Sequence, residues 1–116
     1  YGGSGSNSEA GGGAAGTPLA DAWSLKDGAW KREAVSGPPA LVQANALWDR
    51  NSRHVLVTFG MSGTRCPDPT NAAWAWDGAK WARLPELQVP RRWGAAAAQD
   101  VSGKALVFGG SDEPGC

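Results

Sequence analysis

The stretch that decides the fold occurs twice, as HVLVTFG at residues 54–60 and as KALVFGG at residues 104–110. Both copies are nearly continuous apolar runs that end in an aromatic residue and a glycine. Such runs are typical of strands buried on both faces. The glycines Gly60 and Gly109 lie 49 residues apart, and this spacing predicts an internal repeat.

Two further landmarks recur at a similar interval. The hairpin-turn signals Asp27-Gly28 and Asp77-Gly78 lie 50 residues apart, and Asp49 and Asp100, each at the end of an apolar segment, lie 51 apart. Three landmarks in one order favour a repeat over a chance match.

The first interval is longer than the others. The signature Tyr1-Gly2-Gly3 has its first glycine 58 residues before Gly60. The excess falls in the Gly-rich stretch 2–16, which has almost no apolar side chains and predicts a flexible loop. A linker foreign to the natural protein is the alternative.

Each repeat contains four strand signals, and no helical periodicity competes with them. The first strand type is predicted at Leu41–Trp48 and Trp93–Gln99, and the second at His54–Phe59 and Lys104–Phe108. The third is predicted at Ala22–Leu25 and Ala73–Trp76, and the fourth at Trp30–Ala34 and Lys80–Leu84. Asp-Gly turns join the third strand to the fourth, and prolines at 38, 39, 85 and 90 then interrupt the sheet.

Composition agrees with many short strands and excludes several function classes. The chain has 116 residues with 17 Gly, 8 Pro and 7 Trp, which suits strands joined by tight turns. Eleven basic and eleven acidic residues give a net charge of zero, so no basic excess points to nucleic acid. No apolar run is long enough to span a membrane, and no signal peptide is recognisable.

At this point the sequence resembles the kelch repeat. Leu106–Gly110 is similar to the apolar–diglycine element of that repeat. Its aromatic and tryptophan positions resemble Trp74, Trp76 and Trp81. Pro90–Gly94 is similar to the Pro-x-Arg-x-Gly segment that precedes an inner strand. The closest likeness is to the Trp-x-Trp-Asp-Gly-x-x-Trp type common in bacterial proteins. The sequence departs from the pattern where Met61 follows Gly60 and where residues 40–42 lack the arginine.

The resemblance implies an all-β fold made of kelch-type β-propeller blades. Residues 1–40 would supply the outer half of one blade, 41–85 a complete four-stranded blade, and 86–116 the inner half of the next, together one partial propeller domain. Propellers close with about four to eight blades, so the remaining blades must come from elsewhere. Either the chain is a fragment of a longer propeller, or copies complete one another, three of them giving six blades.

The tryptophans divide into two groups under this interpretation. Trp23, Trp30, Trp74 and Trp81 are expected to fill the space between blades. Trp48, Trp76 and Trp93 are less constrained, and they are candidates for a partly exposed binding face.

Enzyme chemistry finds little support in these residues. His54 is the only histidine, so no His-rich metal site can form. No nucleophilic triad and no phosphate-binding loop stands in the right context, and we expect no metal and no cofactor. The recurring aspartates are expected to cap tight turns.

The two cysteines occupy matching positions. Cys66 follows Gly60 by six residues, and Cys116 follows Gly110 by six. A disulfide between them would staple adjacent loops and indicate an oxidising compartment, extracellular or at the cell surface. Two free thiols are the alternative, which leaves the localisation open.

The leading functional hypothesis is a binding module for a protein or glycan, because loops on a rigid scaffold carry recognition. The candidate surface comprises the loops 2–18 and 61–71, with Arg65, Asp68, Arg91, Arg92 and Trp93 as ligand-binding residues. Two alternatives stay open: a non-catalytic segment of a larger kelch-type oxidase or sugar-modifying enzyme, and a structural subunit of an extracellular assembly.

Overall fold

The computed structural model describes residues 4–5, 17–34, 36–63 and 66–116, and in this part the chain is all-β. No helix there is long and apolar enough to cross a membrane. The strands are β1 (Ser4–Gly5), β2 (Thr17–Pro18), β3 (Trp23–Lys26), β4 (Ala29–Arg32), β5 (Asn45–Asp49), β6 (His54–Thr58), β7 (Met61–Ser62), β8 (Asp68–Pro69), β9 (Ala73–Trp76), β10 (Trp81–Arg83), β11 (Ala96–Gln99) and β12 (Ala105–Phe108).

The centre of the molecule is a four-stranded antiparallel sheet in the order β5-β6-β9-β10. Its registers place Ala46 opposite Val57, Val57 opposite Trp74, and Trp76 opposite Trp81. Directly opposed residues share a face, and residues two apart share it too. One face, called the tryptophan face below, therefore carries Ala46, Trp48, Val55, Val57, Trp74, Trp76 and Trp81.

Two hairpins flank this sheet. Hairpin β3–β4 turns through Asp27 and Gly28, both with positive φ (52° and 77°), as a tight two-residue turn requires. Hairpin β11–β12 lies beside β5. There the Gln99 carboxamide accepts a hydrogen bond from the Arg50 N–H (3.1 Å) and donates one to Asp49 Oδ1 (3.2 Å).

The first strand of each repeat is shorter than the sequence predicted. Leu41–Trp48 was expected as one strand, but Gln43 has a φ of 54° and β5 begins only at Asn45. Gly94, with a φ of 65°, interrupts the corresponding segment before β11. The residues before each break form single bridges instead, Val42 with Met61 and Trp93 with Ser111.

These bridges show that the sequence alignment of the glycines is wrong by one residue. Gly60 and Gly110 both precede the bridge and have φ values of 91° and 90°. A Cβ on Gly60 would lie 2.8 Å from the Val42 carbonyl oxygen, and one on Gly110 would lie 2.6 Å from that of Trp93. Gly60 therefore corresponds to Gly110, not to Gly109.

Phe59 takes the place of Gly109 in this corrected repeat. Its φ is 60°, an unusual value for a bulky residue, and its side chain is 0% exposed. The complete burial of the ring compensates for the backbone conformation. The other buried apolar residues in the described part of the chain are Leu41, Val57, Ala73 and Ala75, so the core lies around β6 and β9.

Candidate functional site

The sheet separates two rims of the molecule. The short turns at 50–53, 77–80 and 100–104 lie at one end of the strands, and the described residues of the longer connections, 59–63, 66–72, 84–95 and 109–116, lie at the other. We call the second set the loop rim. The proposed ligand-binding residues Asp68, Arg91, Arg92 and Trp93 lie there, whereas Trp48 and Trp76 lie in β5 and β9.

A disulfide joins Cys66 to Cys116 across the loop rim, with their Cα atoms 5.1 Å apart. Beside it, the Gly115 N–H donates to the Pro67 carbonyl at 2.8 Å. The two cysteines are 50 residues apart in sequence. Closing a loop of that length lowers the entropy of the unfolded chain, which corresponds to about 4 kcal/mol of stability.

Arg92 holds the loop rim together from inside. Its Nη1 donates to the Gly109 carbonyl at 2.9 Å and its Nε to the Pro90 carbonyl at 3.2 Å. The guanidinium carbon lies 5.9 Å from the centre of the Phe59 ring, within the range of a cation–π contact. These contacts give Arg92 a structural role in the described part of the chain.

Trp93 is also engaged within the chain. Its indole N–H donates to the Glu113 carbonyl at 2.8 Å, and its backbone bridges to Ser111. The side chain is half-buried. It thereby fixes the segment that leads to Cys116.

Asp68 and Arg91 differ from these two residues because both are exposed on the loop rim. Asp68 lies in β8, whose backbone pairs with β7 through Ser62. Arg65, and residues 2–3 and 6–16 of the first predicted loop, lie outside the described residues.

The structure also contains a cavity that the sequence did not reveal. It has a volume of about 260 Å³ and lies between hairpin β3–β4 and the tryptophan face. Its lining includes Trp23, Ser24, Glu33, Val55, Trp76 and Trp81. The rings of Trp76 and Trp81 are 5.2 Å apart, and the Glu33 carboxylate accepts a hydrogen bond from Ser24 Oγ at 2.5 Å.

Of these residues, only Trp76 had been proposed as part of a binding face. The cavity could not be found from the sequence because it depends on how the hairpin docks on the sheet.

The recurring aspartates lie in the turns opposite the loop rim. Asp49 accepts hydrogen bonds from Ser52 Oγ and the Asn51 N–H. Asp77 accepts from the Ala79 and Lys80 N–H groups. Asp100 accepts from Ser102 Oγ and the Lys104 N–H. These hydrogen bonds hold the pKa of each carboxyl group below its ordinary value. The capping role is confirmed for these three residues. No group of three metal-ligating side chains occurs among the described residues.

Compared with known proteins, the chain matches no protein-family model, and no curated protein sequence shows significant similarity to it.

Proposed function

We propose that this chain forms adjacent blades of a kelch-type β-propeller that acts as a binding module for a protein or a glycan. The four-stranded antiparallel sheet β5-β6-β9-β10 has the strand number and order of one blade. Hairpins β3–β4 and β11–β12 repeat its outer and inner halves at offsets of 50 to 51 residues. The kelch likeness of the tryptophan and glycine positions supports the same interpretation.

The observation that carries the binding role is the covalent fixation of the loop rim. The Cys66–Cys116 disulfide and the Gly115–Pro67 hydrogen bond tie the loops of two successive repeats together. Rigid loops lose little conformational entropy on binding, so a partner of matching shape binds more tightly. A disulfide is typical of an oxidising compartment, which supports a partner outside the cell or on its surface.

Asp68 and Arg91 are the residues we assign to the partner. Both are exposed, of opposite charge, and carried by the fixed loops. Arginine is enriched in protein interfaces, and a guanidinium and a carboxylate supply the hydrogen-bond donors and acceptors that match the hydroxyl groups of a glycan. Arg92 and Trp93 support the surface from below, because their polar groups are bonded within the chain.

The test is a binding screen of the 116-residue chain against a glycan array and a panel of secreted and cell-surface proteins. For any ligand found, Arg91→Ala and Asp68→Ala should each weaken binding roughly tenfold, as expected for a central contact in an interface. Lys104→Ala is the matched control, because Lys104 is exposed in a turn at the opposite rim.

If neither Arg91→Ala nor Asp68→Ala changes the affinity for the ligand, the loop rim is not the binding surface. Equal losses in Lys104→Ala would show a nonspecific charge effect and would also contradict the proposal. Reduction of the disulfide should weaken binding in parallel, because the loops then become mobile.

A further inference from the structure

Two strands in the described part of the chain have a free edge where their counterparts are paired. In the central sheet, β6 pairs with β5 on one side and β9 on the other. Strand β12, the counterpart of β6, pairs only with β11, and β3, the counterpart of β9, pairs only with β4. An exposed strand edge is a template for pairing with another strand.

The hairpins also expose apolar faces whose counterparts are covered. Trp23 and Trp30 are 52% and 66% exposed, whereas their counterparts Trp74 and Trp81 are half-buried. Phe108 is 78% exposed, whereas its counterpart Thr58 is buried. The apolar faces and the free edges therefore occur on the same two hairpins.

We propose that further copies of this chain cover the free edges and apolar faces of both hairpins. Strand β12 of one copy pairs antiparallel with β3 of the next, which completes a four-stranded sheet. This inference rests on the blade interpretation given above. The pairing within the chain, Val55 with Trp76, Leu56 with Ala75 and Val57 with Trp74, supplies the register. The proposed partners between copies are Ala105 with Leu25, Leu106 with Ser24, Val107 with Trp23, and Phe108 with Ala22.

The side chains of the completed sheet have a surface to pack on. Leu106 and Phe108 alternate with Val107 and so lie on the opposite hairpin face. In the ring, that face of one copy meets the tryptophan face of the next, next to the cavity lined by Val55 and Trp76. Trp48 on this face is 52% exposed, and the incoming β11–β12 hairpin would cover it.

A second copy fits better than an unrelated partner because the pattern that completes each hairpin is already present in this chain. The docked surfaces differ from each other, so the interface is heterologous, and a propeller-like rotation between copies closes such an interface into a ring. Each chain supplies eight strands of the blade type, or two blades, and propellers of about four to eight blades require two to four copies. The net charge of zero means that the copies do not repel one another strongly.

The first experiment is native mass spectrometry and sedimentation velocity on the 116-residue chain at a concentration of roughly 50 µM, within the range where specific interfaces of this type form. We expect a discrete species of two to four 12.0 kDa chains. A species of 12.0 kDa, whether folded or unfolded, would overturn the proposal.

The second experiment tests the surface with a matched pair of variants. Leu106→Glu places a charge in the proposed interface and should raise the dissociation constant roughly 100-fold, because the charge would be buried without a partner. Ala79→Glu is the control, since Ala79 is exposed in the turn between β9 and β10, two strands that take no part in the proposed pairing between copies. An oligomer that survives Leu106→Glu unchanged would overturn the proposal.

The register is tested with cysteine pairs. A chain with Ser24→Cys and Leu106→Cys should form disulfides between copies on mild oxidation, because directly opposed residues have the required Cβ separation. The chain with Leu25→Cys and Leu106→Cys should not, because these side chains would lie on opposite faces. Cross-linking of the second pair alone would contradict the register. The glycan and protein screen tests the loop rim, and the oligomer experiments test the pairing of β12 with β3. The failure of one proposal can therefore be distinguished from the failure of the other.

Discussion

The strand pairs β5–β6 and β11–β12 have the same backbone course but different surroundings. Each follows a residue with positive φ, Gln43 or Gly94, and each is followed by two more such residues before the chain bridges back. Strand β6 is half-buried to buried along its length, whereas Leu106 on β12 is 66% exposed. The repeated residues therefore fix the backbone, and burial depends on which strands lie alongside.

The largest difference between the two pairs is expected at their phenylalanines. Phe59→Ala should lower the free energy of unfolding by about 3–5 kcal/mol, because it leaves a cavity at a fully buried position. Urea unfolding at one fixed chain concentration measures this effect.

Phe108→Ala is the matched comparison. In the Leu106→Glu background, which removes contacts between copies, it should change the free energy of unfolding by less than about 0.5 kcal/mol. Equal effects of the two substitutions would show that both rings occupy the same position in the repeat, contrary to the structure.

The disulfide is the covalent connection between the loops of the two repeats. Replacing Cys66 and Cys116 together by serine should lower the free energy of unfolding by about 4 kcal/mol, through the regained entropy of the unfolded chain. Urea unfolding of this variant and of the reduced wild-type chain should agree within about 1 kcal/mol, since both lack the same loop constraint. A variant as stable as the wild type would show that the loops do not need the bridge.

The glycines distinguish the two possible alignments of the repeats. Gly60→Ala should destabilise by about 3 kcal/mol or more, since a Cβ would clash with the Val42 carbonyl in addition to the strain of its positive φ. Gly109→Ala should cost only about 1 kcal/mol, because its φ is positive but no atom lies within 4 Å of the added Cβ. If Gly109→Ala unfolds at a lower urea concentration than Gly60→Ala, the alignment of Gly60 with Gly109 is the correct one.

The smallest effect is expected from the turn aspartates and depends on pH. The folded-state pKa of Asp49, Asp77 and Asp100 is lowered by hydrogen bonds from their turns. Their stabilisation is therefore complete above the ordinary aspartate pKa of about 3.9 and is lost as the pH falls below it. Thermal unfolding should show a constant Tm from about pH 7 to pH 5 and a decline towards pH 3.

Asp100→Asn should reduce that decline, because it removes one of the carboxyl groups whose pKa the turn hydrogen bonds lower. If Tm falls with decreasing pH as steeply in Asp100→Asn as in the wild type, the hydrogen bonds to the Asp100 carboxylate do not contribute to folding.

The sequence predicted the strands because their patterns are local. The Asp-Gly turns, the apolar runs at 54–59 and 104–108 and the proline breaks are properties of neighbouring residues. Eight of the strands described lie within the predicted ranges or one residue beyond them, whereas β1, β2, β7 and β8 lie in segments predicted as loops. The strand beginnings at Asn45 and Ala96 were missed. Gln43 has a positive φ, its carbonyl accepts a hydrogen bond from the distant Gly94 N–H, and a glutamine in the sequence predicts neither.

The sequence also misaligned the aromatic–glycine signature. Phe59 occupies a position that is glycine in the other repeat, and only the bridges of Val42 and Trp93 reveal the shift. The structural role of Arg92 was equally hidden, because its acceptor on Gly109 lies 17 residues away. Local pattern identifies elements, whereas long-range hydrogen bonds decide which side chains support the surface and which remain exposed.

The most direct test of the account is a set of backbone NOEs measured by NMR on the 116-residue chain. We predict cross-strand NOEs from β6 to both β5 and β9, including Val57 to Trp74, and from β12 to β11, with none between β6 and β12. Helical NOEs at residues 54–58 or 105–108, or direct pairing of β6 with β12, would contradict the repeat and everything proposed from it.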